Sequence, residues 1–185
     1  METAFRARPA VRPPHADLQQ LDAMPSETIA LAADHGGFAL KGEIKSALQA
    51  RGLDVLDLGT DSADSVDYPD FGYALAEAIR SGRATRGVVL CGSGIGISIA
   101  ANRFPEVRAA LCHEPLSAAL SRRHNDANVL ALGGRLIGPE LARACLDAFL
   151  DTPFEGGRHA RRVAKLGAPP TGGPVNRHTD EGDSQ

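Results

Sequence analysis

Val88-Val-Leu-Cys91-Gly92-Ser-Gly-Ile-Gly96 is the stretch of sequence that decides the fold. The apolar run from Val88 to Cys91 predicts a buried strand, and the glycines behind it predict a tight turn into a helix that continues to about Arg103. A strand that leads through a short turn into a helix is the building unit of parallel sheets. We therefore expect the flanking sequence to repeat this unit.

The same alternation extends outward from that stretch in both directions. Apolar runs predict strands at 28–33, 53–58, 88–91, 107–111 and 129–132, and helices are predicted to begin near Phe38, Pro69, Gly92, Pro115, Pro139 and Glu155. Five strands separated by helices predict an α/β protein, a three-layer αβα sandwich around a five-stranded, parallel, Rossmann-like sheet. Ligands of such sheets bind outside the carboxyl ends of the strands, where the chemistry-bearing residues of this chain also concentrate.

Composition excludes several classes of protein. The 185 residues hold 20 Lys or Arg against 23 Asp or Glu, a net charge of −3, so no strongly basic surface for nucleic acid is expected. No apolar run reaches the roughly 18 to 20 residues that a membrane span needs. The three cysteines do not form an even disulfide framework, and we expect them to be thiols in a reducing cytoplasm.

The two ends of the chain differ from its middle. Residues 1–27 combine arginines and prolines without the apolar core of a signal peptide, and they are predicted to be a disordered arm. Residues 167–185 are rich in glycine and proline with little apolar surface, and they are predicted to be a disordered tail. The folded domain is therefore expected over residues 28–166.

The glycine loop after the third strand is the first candidate site. Backbone N–H groups of Gly92, Gly94 and Gly96 can turn toward one anionic point, and Cys91 stands just before them, where a thiolate is favoured. A plain tight turn and a buried core cysteine remain alternatives. A dinucleotide-binding module is a further alternative, but Ile97 occupies the place of the third glycine in the G-x-G-x-x-G fingerprint, and no P-loop lysine follows.

Two further groups of residues lie later in the chain. His124 and Asn125 offer an imidazole that titrates near neutral pH and an amide for sugar hydroxyls, although Asn at a helix end is also a common C-cap. Arg158 and Arg162 are four residues apart on a predicted helix and could hold a phosphate between them. A solvated basic face is the alternative for that pair.

Five motifs occur together and in order. They are Asp34-His35-Gly-Gly37, Asp67-Tyr68-Pro69, Cys91-Gly-Ser-Gly-Ile-Gly-Ile-Ser-Ile-Ala-Ala-Asn102, His124-Asn-Asp-Ala-Asn128 and Gly156-Gly-Arg158-His159. From about Ile29 to Lys165, the sequence closely resembles the type B ribose-5-phosphate isomerases. The wider family also includes isomerases of galactose 6-phosphate, allose 6-phosphate and tetrulose phosphate, so the resemblance fixes the reaction better than the sugar.

The resemblance implies interconversion of ribose 5-phosphate and ribulose 5-phosphate through an enediolate, without a metal or an organic cofactor. The implied catalytic residues are Cys91 as the base, Ser93 beside the substrate oxygens, and Asp34 and His124 for ring opening. The implied substrate-binding residues are His35, Gly92, Gly94, Ile95, Gly96, Asn125, Arg135, Arg158 and Arg162.

One branch of the family carries a glutamate base at the position of Ile97, so this chain resembles the cysteine branch. The resemblance also implies a homodimer or a dimer of dimers, with the site between two subunits and the histidine–asparagine motif and arginines supplied by the partner chain. All of the motifs stand in one sequence, which favours identical subunits. No nucleic-acid or membrane partner is expected.

Overall fold

Five parallel strands form a single sheet in the computed structural model, which describes residues 26–168. The strands are β1 (Thr28–Ala33), β2 (Asp54–Asp57), β3 (Arg86–Cys91), β4 (Ala109–Leu111) and β5 (Val129–Gly133), in the spatial order β2-β1-β3-β5-β4. The three central strands are buried along nearly their whole length, because apolar side chains occupy both of their faces. Residues 1–25 and 169–185, and with them nearly all of the predicted arm and tail, lie outside the described residues.

Helices cover both faces of the sheet. They are α1 (Phe38–Ala50), α2 (Tyr68–Arg80), α3 (Ile95–Ala101), α4 (Pro115–Asn125), α5 (Pro139–Asp151) and α6 (Arg158–Leu166). Helices α1, α4 and α5 contribute to one buried apolar cluster, while α2 and α3 contribute to a second one on the opposite face. The predicted three-layer α/β sandwich is confirmed. Within residues 26–168, every helix is too short or too polar to span a bilayer.

The edge strand β4 is shorter than predicted. It begins at Ala109 rather than Val107, because the Val107 N–H donates to the Phe104 carbonyl and closes a turn there. The Asn102 side chain forms hydrogen bonds with both backbone groups of Ala109. It accepts from the Ala109 N–H at 2.7 Å and donates to the Ala109 carbonyl at 2.9 Å. Asn102 also ends α3 at Ala101, before the predicted limit near Arg103.

Other elements also differ from the prediction. Strand β3 begins at Arg86, two residues before the predicted start at Val88. Helix α6 begins at Arg158 instead of Glu155, because Gly156 and Gly157 have positive φ angles of 65° and 53° that interrupt a right-handed helix. Strand β2 pairs only over Asp54–Asp57, one residue shorter at each end than the predicted 53–58.

The strand order places a crevice at the carboxyl ends of β1 and β3. From β1 the chain continues to β2 on one side, whereas from β3 it continues to β4 and β5 on the other, so the two following loops diverge. Ala33 pairs in register with Leu90, and the Asp34 N–H donates to the Leu90 carbonyl at 3.2 Å. Asp34 and Cys91, which directly follow these paired residues, therefore come together at the crevice.

Candidate active site

A cavity of about 330 Å³ opens at the carboxyl ends of β1, β3 and β5, and we call it the cysteine cavity. Its lining residues are Asp34, Tyr68, Cys91, Gly92, Ser93, Gly96, Arg135 and Leu136. Six of these eight are residues that the sequence analysis assigns to the site. Four segments that are distant in sequence, three at the ends of these strands and one at the start of α2, thus contribute to one cavity.

Cys91 is the last residue of β3 and is 4% exposed. Its Sγ accepts a hydrogen bond from the Gly94 N–H at 3.0 Å. The loop can turn back onto the sulfur because Gly94 has a φ of 76°, a conformation that side-chain-bearing residues rarely adopt. This hydrogen bond fixes the sulfur at the wall of the cysteine cavity. The arrangement is therefore suited to taking a proton from a substrate carbon.

The loops that follow β1, β3 and β5 are in direct backbone contact. A Cβ on Gly36 would lie 2.8 Å from the Gly92 nitrogen, so only glycine allows this approach. The Gly134 N–H donates to the Cys91 carbonyl at 2.9 Å, and the Arg135 N–H donates to the Gly92 carbonyl at 3.0 Å. These contacts fix the position of Cys91 relative to the residues around it.

Arg135 lines the same cavity as Cys91. A Cβ on Gly92 would lie 3.4 Å from Nε and from one terminal nitrogen of Arg135, so the guanidinium lies directly over the glycine loop. The family resemblance groups Arg135 with Arg158 and Arg162 among the substrate-binding residues, but in the chain Arg135 is in a different cavity from Arg162.

Two N–H groups of the glycine loop already have partners. The Gly94 N–H is bound to Cys91, and the Ile95 N–H donates to Ser93 Oγ at 3.3 Å. Either group would have to exchange this partner in order to hold an oxyanion of the substrate. Ile95 itself is half exposed at the start of α3 and lines neither the cysteine cavity nor the cavity described below.

Asp34 and His35 are held by their local backbone. Asp34 is 5% exposed, and its Oδ1 accepts from the Gly37 N–H at 3.0 Å. Nδ1 of His35 lies 3.2 Å from both the nitrogen and the carbonyl oxygen of Val66. When Nδ1 accepts from the Val66 N–H, the proton of the neutral ring is on Nε2, which can then donate to an anion.

A second cavity, of about 280 Å³, lies between α4 and α6, and we call it the histidine cavity. Its lining residues are His124, Asn125, His159, Arg162, Val163 and Leu166. Arg158 adjoins it, with Nε 3.4 Å from Nε2 of His159. The structure thus brings the predicted residues together in two groups, one around Cys91 and one around His124.

The C-cap alternative for Asn125 is wrong. The residue in the left-handed conformation after α4 is Asp126, with a φ of 45°, and its N–H closes the helix onto the carbonyls of Arg122 and Ser121. The Asp126 carboxylate is paired with Arg108 and Arg122. Asn125 is instead exposed at the edge of the histidine cavity.

Six lining or neighbouring residues were not assigned to the site from the sequence: Tyr68, Leu136, Glu155, His159, Val163 and Leu166. The Tyr68 ring packs on Gly96, where a Cβ would lie 2.6 Å from its ring carbons. Tyr68 and His159 belong to two of the five sequence motifs, so the sequence offered a reason to assign both residues to the site. Leu136 and Glu155 carry no such signal, because their role depends on loop positions that the sequence pattern does not define.

A third cavity, of about 380 Å³, lies beside β4 and reaches Asn125. Asn102, Arg108 and Ser121 are among its polar lining residues, but the described residues that line it include no carboxylate, thiol or imidazole. It therefore lacks the acid–base groups that proton transfer requires.

Comparison with known proteins gives a consistent result. The Ribose/Galactose Isomerase family matches residues 29–166. Ribose-5-phosphate isomerase B of Escherichia coli is 50% identical over 140 residues, which cover 76% of this chain and 94% of that protein. D-erythrulose-4-phosphate isomerase of Pectobacterium atrosepticum is 47% identical over 141 residues, covering 76% of this chain and 93% of that protein.

Solved structures agree with the sequence relatives. Ribose-5-phosphate isomerase B of Clostridium thermocellum is 54% identical with a TM-score of 0.75, and the match covers 76% of this chain and 95% of that one. The type B ribose 5-phosphate isomerase of Trypanosoma brucei is 41% identical, also with a TM-score of 0.75, over 77% of this chain and 98% of that one.

Proposed function

Since this chain belongs to the ribose/galactose isomerase family and is a sugar phosphate isomerase, we propose that it interconverts ribose 5-phosphate and ribulose 5-phosphate, with Cys91 as the base. The observation that carries the proposal is the buried Cys91 sulfur, which accepts the Gly94 N–H in a cavity that Asp34 and Arg135 also line. Ribose 5-phosphate and ribulose 5-phosphate, the substrate and product of the proposed reaction, belong to the pentose phosphate pathway.

The proposed proton transfer begins on the open-chain aldose. The Cys91 thiolate takes the proton from C2, the electron pair of that bond forms a C1–C2 double bond, and the carbonyl electrons move to O1. The resulting enediolate lies against the Ser93 hydroxyl and the N–H groups of the glycine loop. A proton then moves from O2 to O1 while Cys91 returns its proton to C1, so the ketose forms with no gain or loss of atoms.

Ribose 5-phosphate exists mainly as a ring, which must open before this transfer. One group takes the proton of the C1 hydroxyl and another gives a proton to the ring oxygen, and we assign these two roles to Asp34 and His124. Asn125 orients hydroxyls, and His35, Arg135, Arg158 and Arg162 hold the phosphate.

The identity and burial of residue 97 also support Cys91 as the base. In the glutamate branch of the family, this position would present a carboxylate to the substrate. Here Ile97 is fully buried and packs in the apolar cluster under α2 and α3. Among the described residues that line the cysteine cavity, Asp34 is the other group that could act as a base, and the proposal assigns it to ring opening.

A four-carbon sugar phosphate is the second candidate substrate. The relative named D-erythrulose-4-phosphate isomerase is 47% identical, close to the 50% of the E. coli ribose-5-phosphate isomerase B. Galactose 6-phosphate and allose 6-phosphate complete the set of substrates to compare, because they belong to the wider family.

The test is turnover by the purified protein, in EDTA, of ribose 5-phosphate, erythrose 4-phosphate, galactose 6-phosphate and allose 6-phosphate. We expect the highest kcat/KM on ribose 5-phosphate. Preference for another sugar would retain the isomerase and reject the pentose. A lack of turnover on all four would contradict the proposed substrates, and turnover that requires an added metal would contradict a metal-free mechanism.

A homodimer, alone or paired into a tetramer, follows from the same proposal. The cysteine cavity and the histidine cavity of one chain are separate, and exposed apolar side chains surround the glycine loop: Tyr68, Ile95, Ile99 and Leu136. Ile95 and Ile99 are four residues apart on α3 and so share one face. Covering that face with a second copy would bring a histidine cavity to each cysteine cavity.

We also propose that the protein works in the cytoplasm. All three cysteines are free thiols, which fits a reducing compartment. Fractionation of cells followed by detection of the protein tests this location, and recovery outside the cytoplasmic fraction would contradict it.

A further inference from the structure

Three side chains form a compact cluster in and beside the histidine cavity: His124 on α4, Glu155 before α6, and His159 on α6. The imidazole rings of His124 and His159 are stacked, with centroids 4.5 Å apart and planes within 8° of parallel. Oε2 of Glu155 lies 3.7 Å from Nε2 of His159 and 3.9 Å from Nε2 of His124. Neither Glu155 nor His159 has a role in the mechanism described above.

The charges around this cluster argue against a metal ion. The three candidate ligand atoms lie within 4.8 Å of one another, a spacing from which a cation could be bound. However, Nε of Arg123 lies 3.3 Å from Glu155, Arg158 contacts His159, and Arg162 lines the same cavity. Three guanidinium groups oppose a divalent cation and favour an anion such as the substrate phosphate.

The two histidines differ in exposure. His159 is buried, and burial together with the positive charges of His124, Arg158 and Arg162 lowers its pKa, against the opposing effect of Glu155. His159 is therefore neutral at neutral pH, and its Nε2 accepts from Arg158. The His124 side chain is 38% exposed, so only His124 of this pair can reach a substrate readily.

We propose that Glu155 and His159 are positioning residues that hold His124 in the orientation required to open the sugar ring. An imidazole at the exposed end of a helix is free to rotate, and proton transfer depends strongly on its orientation. The flat His159 ring fixes the plane of His124, and the Glu155 carboxylate attracts its Nε2 edge. This inference rests on the proposed function, because it assigns a role within ring opening.

Ring opening can be separated from enediolate formation by the choice of reactant. Ribose 5-phosphate closes its ring through the C4 hydroxyl. Ribulose 5-phosphate cannot form a five-membered ring, because the C5 hydroxyl that would close it carries the phosphate. Incorporation of deuterium from D₂O into C1 of ribulose 5-phosphate therefore reports the Cys91 step alone. Loss of His124 orientation should slow ribose 5-phosphate turnover and spare this exchange.

The experiment compares Glu155→Gln, His159→Ala and His159→Phe with the wild type in both measurements. We expect Glu155→Gln and His159→Ala to lower kcat on ribose 5-phosphate by on the order of ten-fold, with deuterium exchange changed less than about two-fold. His159→Phe keeps a flat ring and should recover most of the lost activity. Glu43→Gln, which removes an exposed carboxylate paired with Arg143, is the matched control and should leave both rates unchanged.

Several outcomes would overturn the inference. Equal losses in turnover and in exchange would assign Glu155 and His159 to the fold or to phosphate binding, and unchanged turnover would remove them from the mechanism. Failure of His159→Phe to exceed His159→Ala would exclude stacking as the cause. Thermal melting of each variant identifies any that do not fold. A wild-type protein inactive on both pentose phosphates would instead contradict the proposed function itself.

Discussion

At the scale of single residues, the three cysteines separate into one candidate base and two core thiols. Cys91 lines the cysteine cavity and accepts the Gly94 N–H. Burial raises the pKa of Cys145 to about 11, and burial also raises the pKa of Cys112. The latter two thiols remain protonated at neutral pH, where a thiol is a poor base.

This difference predicts that alanine substitution of Cys91 lowers kcat strongly, whereas alanine substitution of Cys145 does not. Cys91→Ala removes the proposed base, and we expect kcat on ribose 5-phosphate to fall by at least about 100-fold, with cooperative unfolding retained. Cys145→Ala, the matched control in α5, should keep kcat within about two-fold of wild type while lowering stability slightly. Turnover and thermal melting are measured for both. Near wild-type turnover by Cys91→Ala would remove Cys91 as the base.

Arg158 and Arg162, two of the three arginines of α6, are predicted to act on binding rather than on the chemical step. Phosphate lies away from the reacting carbons, so its contacts stabilise substrate and transition state alike. We expect Arg162→Ala to raise KM by about ten-fold or more with a smaller change in kcat, since charge-assisted hydrogen bonds contribute about 1.5 to 3 kcal/mol. Arg158→Ala should also mainly raise KM, although this variant frees Nε2 of His159 as well.

Arg161 provides the control for this pair, because it is an exposed arginine of the same helix that lines neither of the two site cavities. Arg161→Ala should leave KM within about two-fold of wild type. If all three substitutions raise KM equally, a general electrostatic attraction of the basic helix explains the effect, and a specific phosphate contact is rejected.

At the scale of secondary-structure elements, one buried lysine links α1 to the end of β2. Nζ of Lys41 donates to Asp57 at 2.9 Å and to the Thr60 carbonyl at 2.7 Å. Thr60 begins the loop that carries Val66, the residue whose backbone holds the His35 ring. Lys45 binds the other oxygen of Asp57 at the same 2.9 Å, but its side chain is 40% exposed, against 8% for Lys41.

Equal distances with unequal burial predict unequal stability effects. Lys41→Met leaves the Thr60 carbonyl without its buried donor, and we expect a loss of about 1 to 3 kcal/mol in the free energy of unfolding. Lys45→Met, the control at the same carboxylate, should cost less than about 1 kcal/mol. Urea unfolding at pH 7 measures both. Equal losses would show that burial does not govern the strength of this interaction.

The contacts of Lys41 and Lys45 with Asp57 also predict that the stability of the protein depends on pH. Burial alone would raise the pKa of Asp57, but hydrogen bonds from Lys45 and Lys41 outweigh it and hold the pKa below its usual value near 3.8. The stabilisation is therefore present above that usual value and is lost as the pH falls through the lowered pKa. The difference in stability between wild type and Lys41→Met should shrink below about pH 4. A constant difference would contradict this coupling.

Elements were predictable from the sequence to the extent that local patterns determine them. Apolar runs and following glycines identified β1, β3 and β5, because central strands of a parallel sheet are apolar on both faces. The bounds of β4 depend on Asn102, whose side chain replaces a neighbouring strand along Ala109, and alternation of apolar residues carries no trace of that contact. Likewise, the Glu155 position depends on two glycines with positive φ that delay the start of α6.

At the scale of the whole molecule, the central feature is the division of the proposed site into two cavities of one chain. The resemblance to a known family supplied the proposed catalytic residues, but apolar patterning could not show that Cys91 and His124 line different cavities. If the active site combines the cysteine cavity of one subunit with the histidine cavity of another, each dimer contains two complete sites. Neither chain then completes a site alone.

This arrangement predicts that two inactive variants restore each other. In a mixed dimer of Cys91→Ala and His124→Asn chains, one site carries both substitutions, and the other combines an intact Cys91 with an intact His124. If equal amounts of the two chains assemble at random, about half of the dimers are mixed. Each mixed dimer has one complete site out of two, so about a quarter of the wild-type turnover of ribose 5-phosphate should return. Co-expression with two different affinity tags allows the mixed dimer to be isolated and assayed.

The control mixture pairs Cys91→Ala with Asp34→Asn. Both residues line the cysteine cavity, so neither site of that mixed dimer is complete and no turnover should return. Recovery in the first mixture and none in the second would locate the division between Cys91 and His124, because only residues from different chains can complement each other. If purified mixed dimers of Cys91→Ala and His124→Asn remain inactive, or if the protein is a monomer at assay concentration, the site lies within one chain and the dimer proposal is wrong.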